Sequence, residues 1–279
     1  MVIVTTAAVL LWGVFVGIVF SAIGAAGGIL TSFGLITLFG VMEANSVKPM
    51  TQLVVLATAL VFVPGYMRRA SAVVPLGLLL GGGGLIGAYA GSTLSSLYLS
   101  DMAQFRPLFG VLTLAVAAQL FWKLLGPGQA PVTGVTPGGA VQLVRTDFSG
   151  VIFRYAGRLY SVPAWSPLLA GAVIAMTAAI FGVGGGFLLV PYMASFLMMP
   201  MHIIPATAAI AIIMSLVVSI SNFLRLGAPL DWGLLLPLTI GAVAGAIIGP
   251  QVNKAMKNSA LQAVMGVIVF AIGVKYILF

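Results

Sequence analysis

Two stretches without a single charged residue, 5–40 and 167–199, are each too long to be one membrane-crossing helix. At 1.5 Å per residue a continuous helix over either would run about 50 Å, against a hydrocarbon layer of ~30 Å. Each carries a glycine cluster near its middle: SAIGAAGGIL at 21–30 and FGVGGGFLLVP at 181–191. Glycine weakens a helix interior by about 1 kcal/mol relative to alanine, so a cluster marks the place where the helix is interrupted. An irregular link at membrane depth must be buried in protein or line a polar cavity, because lipid offers its N–H and C=O groups no partners. The expectation is two broken helices meeting at a protected site.

Six further apolar segments fall near 49–66, 73–99, 105–125, 203–224, 230–252 and 260–279, giving four segments, a polar connection and four more. With 61% hydrophobic residues, 6% charged residues and a mean hydropathy of +1.22, the chain reads as an all-α, multi-pass protein of the cell membrane. Its net charge of +8 is scattered over short connections, which orients membrane segments and does not form a nucleic-acid face. The inventory for catalysis is thin: no cysteine, one histidine (His202), and four acids (Glu43, Asp101, Asp147, Asp231) that all lie near connections. No enzyme, metal site or cofactor is expected from it, and no midspan proton-loading group is visible. The amino terminus lacks a basic region before its apolar run and reads as mature structure.

The chain divides into an N-terminal transmembrane half (1–125), a cytoplasmic linker with a short β-ribbon (126–166) and a C-terminal transmembrane half (167–279). The halves repeat one another. Gly24, Gly27 and Gly28 fall opposite Gly182, Gly185 and Gly186 at an offset of 158, as Gly83, Gly87 and Gly91 do opposite Gly241, Gly245 and Gly249. At an offset of 156, KPMT (48–51) falls opposite IPAT (204–207) and Arg69 opposite Arg225. If every segment spans, the halves are parallel; if the first and fifth are re-entrant, they are inverted. Loop charges favour a cytoplasmic ribbon by eight to four in both arrangements, with Lys48 counted as a loop charge. The inverted repeat is preferred because it brings two broken segments to one midplane site.

A broken helix exposes amide N–H groups at the start of its second half, where the macrodipole favours an anion. Gly24, Gly27, Gly28, Gly182, Gly184, Gly185 and Gly186 are therefore the candidate substrate-binding positions; the competing reading is that they only let two hairpins cross closely. Thr51, Gln52, Thr207, Ser215, Ser219, Ser221 and Asn222 are the polar candidates, with Ser21 and Ser32 flanking the first cluster and Thr51, Thr207 and Asn222 preferred, although a membrane threonine also bonds the carbonyl four residues back. Pro191 and Pro205 are read as gating or helix-break positions. Arg69 and Arg225, without partners in the sequence pattern, are vestibule candidates or plain loop charges. The glycine stripes 83/87/91 and 241/245/249 read as close-packing faces.

The paired breaks IGAAGGIL and FGVGGGFLLVP, the KPMT and IPAT segments after them, GAYAG and GAVAG further on, and the split into two four-segment halves resemble the TauE/SafE sulfite exporter family. The resemblance covers nearly the whole chain apart from the central ribbon. It implies a secondary transporter that moves a small inorganic or organic sulfur anion such as sulfite, sulfoacetate or another organosulfonate, generally outward and often with protons as coupling ion, acting as monomer or homodimer in the lipid bilayer. The glycine-proline stretch of the family maps onto Gly182, Gly184, Gly185, Gly186 and Pro191. The first half departs from that form, with Ala25 and Ala26 in its cluster and Phe33 opposite Pro191.

Overall fold

The computed structural model describes residues 2–23, 27–69, 72–125, 141–147, 149–200, 203–255 and 258–278. Gly24, His202 and the turn-rich stretch 126–140 lie outside them. The first half contains α1 (Val2–Ile23), α2 (Gly27–Phe33) with a π-helical turn (Gly34–Leu38), α3 (Ala44–Arg69), α4 (Val74–Tyr98) and α5 (Met102–Leu125). Three strands follow: β1 (Gln142–Asp147), β2 (Gly150–Tyr155) and β3 (Arg158–Pro163). The second half repeats the first as α6 (Trp165–Phe181), α7 (Gly186–Pro191) with a π-helical turn (Tyr192–Phe196), α8 (Ile204–Arg225), α9 (Trp232–Ala255) and α10 (Asn258–Leu278).

Both overlong stretches fold back on themselves. In the first, Trp12 donates its indole N–H to the Leu30 carbonyl at 3.2 Å and Gly27 packs on Phe20, so later residues of α2 meet earlier residues of α1. In the second, the hydroxyls of Ser166 and Tyr192 are 2.8 Å apart while Gly185 lies against Ile174 and Ala178. Each pair is thus an antiparallel helical hairpin. The extra length that no single crossing can absorb is used in the return.

The glycine stripes do what their spacing predicts. Gly241 and Gly245 of α9 lie so close to α1 that a Cβ would fall 2.1 Å from the carbonyl oxygens of Leu10 and Val14. Gly83 and Gly87 of α4 meet the carbonyls of Leu168 and Ala172 on α6 at 1.9 Å in the same sense. Where lipid removes the hydrophobic drive for helix pairing, such backbone approach is the main source of contact energy. The outer helix of each hairpin therefore docks on the third helix of the opposite half, α1 parallel to α9 and α6 parallel to α4. Two further pairs complete the body: α4 runs beside α8, and α5 packs antiparallel to α10 through Gly110, Gly266 and Gly273.

Among the described residues, Val74–Tyr98, Met102–Trp122, Ile204–Arg225 and Trp232–Gly249 are each long and apolar enough to cross a bilayer. Large apolar side chains such as Ile86, Val111 and Ile247 point outwards, as a lipid-facing surface requires. The central ribbon is a three-stranded antiparallel sheet in the order β1-β2-β3. Its inner face, Val151, Phe153, Tyr155 and Val162, packs on Val73, Met199 and Ile203, so it caps one end of the bundle. At the β1–β2 turn Asp147 accepts hydrogen bonds from the Ser149 hydroxyl and from the amides of Ser149 and Gly150, and pairs with Arg145. The Ser149 hydroxyl, then the Arg145 charge, hold its carboxyl below the usual range.

One expectation is corrected here. Helix α3 starts at Ala44, well before the apolar segment that begins at 49, so Lys48 belongs to the helix and is fully buried instead of lying in a connection. Proline at 49 suggests a helix start at that point, but Pro49 lies in the second turn of α3.

Candidate substrate site at the hairpin tips

The tip of the second hairpin is made by glycines whose conformations other residues avoid. Gly182 ends α6 with φ +72° and Gly184 follows with φ +75°, both in the left-handed region that costs an L-residue roughly 1–2 kcal/mol. Val183 between them donates its amide to Ala178 at 3.1 Å, and the carbonyl of Gly185 accepts the amides of Leu188 and Leu189 to start α7. The sequence expectation that Gly27 and Gly186 stand where the second half-helices begin is met.

The two tips touch. A Cβ on Gly28 would fall 2.0 Å from the carbonyl oxygen of Val183, so the backbones cross with no room for a side chain. Gly27, Gly28, Gly184 and Gly186 line a narrow cleft at this crossing, closed by Phe20, Val55 and Ile212. On the far side of Gly184 lies a second cavity, bordered by Gly184 and Gly185 of the tip, Gln52 of α3 and Ser215 and Ser219 of α8. It offers about 20 Å³ to the centre of a water molecule, room for one water and too little for an oxoanion. In this conformation the cavity is closed to a ligand of that size.

Thr51, Thr207, Asn222 and Arg225 lie outside these cavities. Thr51, fully buried, shares a 3.0 Å hydrogen bond with Ser32 on the returning helix α2. Thr207 donates to the Ile203 carbonyl at 2.7 Å and accepts the Val73 amide at 3.0 Å, tying α8 to the start of α4. Asn222 donates to Ser92 at 2.8 Å and Thr93 at 2.9 Å, and its carbonyl oxygen has no partner among the described residues. Arg225 donates to the Tyr89 hydroxyl at 2.9 Å and lies over that ring at 5.6 Å, on an exposed face. Of Arg69 only the helical backbone is described.

Both prolines lie in helical backbone. Pro191 has helical angles (φ −61°, ψ −40°) at the end of α7, with the break already made at Gly182–Gly185. Phe33 precedes the matching π-helical turn of the first half, so that turn does not need a proline. Pro205 occupies the first turn of α8, where its missing N–H has no intrahelical acceptor to lose.

Lys48 is the residue that sequence reasoning missed. Its ammonium donates to the carbonyls of Leu99 at 2.6 Å and Ser95 at 3.2 Å, and to the Asn45 side chain at 3.2 Å. It also lies 5.0 Å from the centre of the Phe105 ring. A cation on the carbonyl end of α4 is favoured by the macrodipole, and here all three of its donors are used. Gly182 packs directly on its backbone, with a Cβ only 2.6 Å from the Lys48 Cα. Ser95 completes the support by donating to the Ile180 carbonyl at 2.6 Å. Lys48 thus anchors the corner of the bundle against which the second tip rests. Asn45, three residues earlier, was the local signal that the lysine had an intrahelical partner.

The family model described as sulfite exporter TauE/SafE matches residues 9–276. The chain is 27% identical over 278 residues to the probable membrane transporter protein YunE of Bacillus subtilis (strain 168), covering 95% of this chain and 94% of that protein. No solved structure matches it. A match through both hairpins and all the helices between them places this integral membrane protein in the TauE/SafE family of membrane transporters.

Proposed function

We propose that the protein exports a small sulfur-containing anion, sulfite or an organosulfonate, by alternating access around the crossed hairpin tips. The observation that carries this reading is the backbone contact of Gly28 with Val183: two re-entrant tips, one from each half, closed on each other within a charge-poor core. Gly27, Gly28, Gly182, Gly184, Gly185 and Gly186, with Gly24, form the path through the tips. Thr51, Thr207 and Asn222 hold that path, and Arg69 and Arg225 stand near its mouths. The anion is held by backbone and side-chain dipoles and not by a buried Lys or Arg, which lets it leave as well as bind.

Inversion of the halves fits the course of the chain. If each long helix crosses once and each hairpin returns to its own side, the first hairpin opens on one face and the second on the other. The contact pattern supports this, since the exchange of α1–α9 for α6–α4 relates the halves as a repeat should. Loop charge then puts the β-sheet in the cytoplasm, over the mouth of the second hairpin. Cysteines introduced beside Arg68 and Arg225 into this cysteine-free chain, labelled in intact cells, test the inversion: opposite accessibility supports it and equal accessibility removes it.

The transport reading itself is tested with purified protein in liposomes loaded with sulfite, sulfate, thiosulfate, sulfoacetate or taurine. Movement of a sulfur anion that speeds up under an imposed pH gradient supports the reading together with proton coupling. Movement indifferent to that gradient removes the coupling alone, and failure to move any of the five removes the sulfur anion as cargo.

A further inference from the structure

Two polar side chains converge on the cavity beside the second tip and find nothing to bond there. Gln52 of α3 and Ser219 of α8 are each 1% exposed, and the carboxamide oxygen of the first and the hydroxyl of the second lack partners among the described residues. Leaving a buried polar group unpaired costs about 1–3 kcal/mol, a cost that both residues incur in the closed conformation. Thr51, the immediate neighbour of Gln52, shows the contrast: it is just as buried and is paired with Ser32.

The repeat makes the pair one-sided. At the offset of 156 that relates KPMT to IPAT, the counterpart of Gln52 is Ala208, and the counterpart of Ser219 is Val63. Ala208 is buried in an apolar cluster. A cavity built by strict repetition would be polar on both sides or on neither. Of these four matched positions the two polar ones, Gln52 and Ser219, both border the space between α3, α8 and the Gly184–Gly185 segment.

We infer that Gln52 and Ser219 are the side-chain determinants of substrate binding, forming one asymmetric site against the second hairpin that takes a compact, singly charged oxoanion. This deepens the transport reading and rests on it. A half-turn about the last side-chain torsion of glutamine, a soft twofold rotor, exchanges its oxygen for its NH₂ group and presents two donors to the anion's oxygens. The serine hydroxyl supplies a third. Among the described residues no charged side chain borders the cavity, so dipoles alone would meet the ligand there, which favours one negative charge over two. The remaining wall is apolar, small at Gly171, Ala175 and Ala178 and bulky at Leu80, Ile174 and Leu189, so it offers polar contacts to a compact group and none to a longer polar tail.

The test is binding of sulfite to the purified full-length protein by calorimetry, with Gln52→Met and Ser219→Ala variants matched to the parent in elution profile and melting temperature. Each variant is expected to bind about tenfold or more weakly, the effect of losing a hydrogen bond to a charged ligand. Gln52→Asn, which keeps the amide but shortens its reach, serves if Gln52→Met does not fold, with the same weakening expected. Taurine and sulfoacetate are expected to displace sulfite at least about tenfold less well than sulfite itself; equal displacement overturns the size limit. Parent-like affinity in the folded variants overturns the assignment of Gln52 and Ser219 while leaving the transport reading in place. Absence of sulfite, taurine and sulfoacetate binding by the parent protein removes both.

Discussion

The two hairpins share one design and are stabilised differently. Their π-helical turns, Gly34–Leu38 and Tyr192–Phe196, fall at the same offset of 158 as the glycine clusters, so the repeat is preserved down to an irregularity of the backbone. Yet the first hairpin is fastened by side chains along its length: Trp12 to the Leu30 carbonyl, Thr31 to the Gly27 carbonyl at 2.8 Å, Ser32 to Thr51, and Thr37 to Tyr276 at 2.8 Å. The second is shaped at its tip by two left-handed glycines, rests on the Lys48 corner, and borders a cavity with unpaired polar atoms. The two tips cross; the first belongs to a hairpin held by side-chain hydrogen bonds, and the second borders the cavity proposed above as the binding site. A side chain whose polar atoms are all used resists rearrangement, whereas one left unpaired gains from it.

Gly28 offers the most severe way to break this arrangement, because the crossing leaves no space for even a methyl group. Gly28→Ala sets a Cβ against the Val183 backbone, which cannot swing aside as a side chain can, and is expected to lower stability by about 3 kcal/mol and to abolish transport. Thermal unfolding in detergent and liposome flux check the two effects; a variant with the parent's melting temperature would mean the tips do not cross as described. Lys48→Ile ranks next, since it gives the first half the residue that the second has at Ile204. The carbonyls of Ser95 and Leu99 then lose a charged donor, and a destabilisation of about 2 kcal/mol is expected together with slower transport. Full activity would show that the asymmetry at this corner has no bearing on the second tip.

Much of this was legible in the sequence, for reasons that also explain what was not. Charge-free stretches of excessive length, each with a central glycine cluster, leave folding back as the economical solution in lipid, and the stripe Gly83/Gly87/Gly91 can hardly serve anything but close packing. The short β-ribbon was legible too; that Val151, Phe153 and Tyr155 form its buried face came from the structure. Which polar residue stands free is a tertiary property. Thr51 and Gln52 are adjacent and equally buried, and only the position of Ser32 decides that one is paired and the other is not. Lys48 was concealed by the habit of assigning a lysine beside a proline to a loop; its acceptors, the carbonyls of Ser95 and Leu99, are distant in sequence.

Gly185 sharpens the comparison without breaking it. Unlike Gly28 it leaves room for a Cβ, which would meet Ile174, Leu189 and Ala178 at 3.5 Å or more, and its backbone angle is ordinary (φ −80°). Gly185→Ala is therefore expected to fold with a melting temperature within about 1 °C of the parent, since an unstrained surface of contact changes stability by a few tenths of a kcal/mol. Its methyl group borders the cavity beside Gln52, so sulfite binding should weaken by about threefold to tenfold while stability stays put. The same fold with the same affinity would move the site away from the second tip, towards the cleft at Gly28.

The smallest effect is expected at Arg225, where the two halves can be compared by changing matching residues. Arg225 bonds the Tyr89 hydroxyl on an exposed face, and an exposed arrangement of that kind is weakened by solvent and salt. A charge at such a mouth acts on the approach of an anion more than on its residence. Arg225→Gln should therefore leave sulfite affinity within about twofold, and lower the initial transport rate at low ionic strength with the difference vanishing as salt is raised. Arg69→Gln, at the matching position of the first half, is expected to behave in the same way on the opposite face. Measuring rate against salt for both variants, with substrate supplied from each side in turn, separates the mouths. A loss of affinity of one to two orders of magnitude in either variant would instead mean that the arginine folds inward onto the substrate, and the account of a site held by dipoles alone would have to be given up.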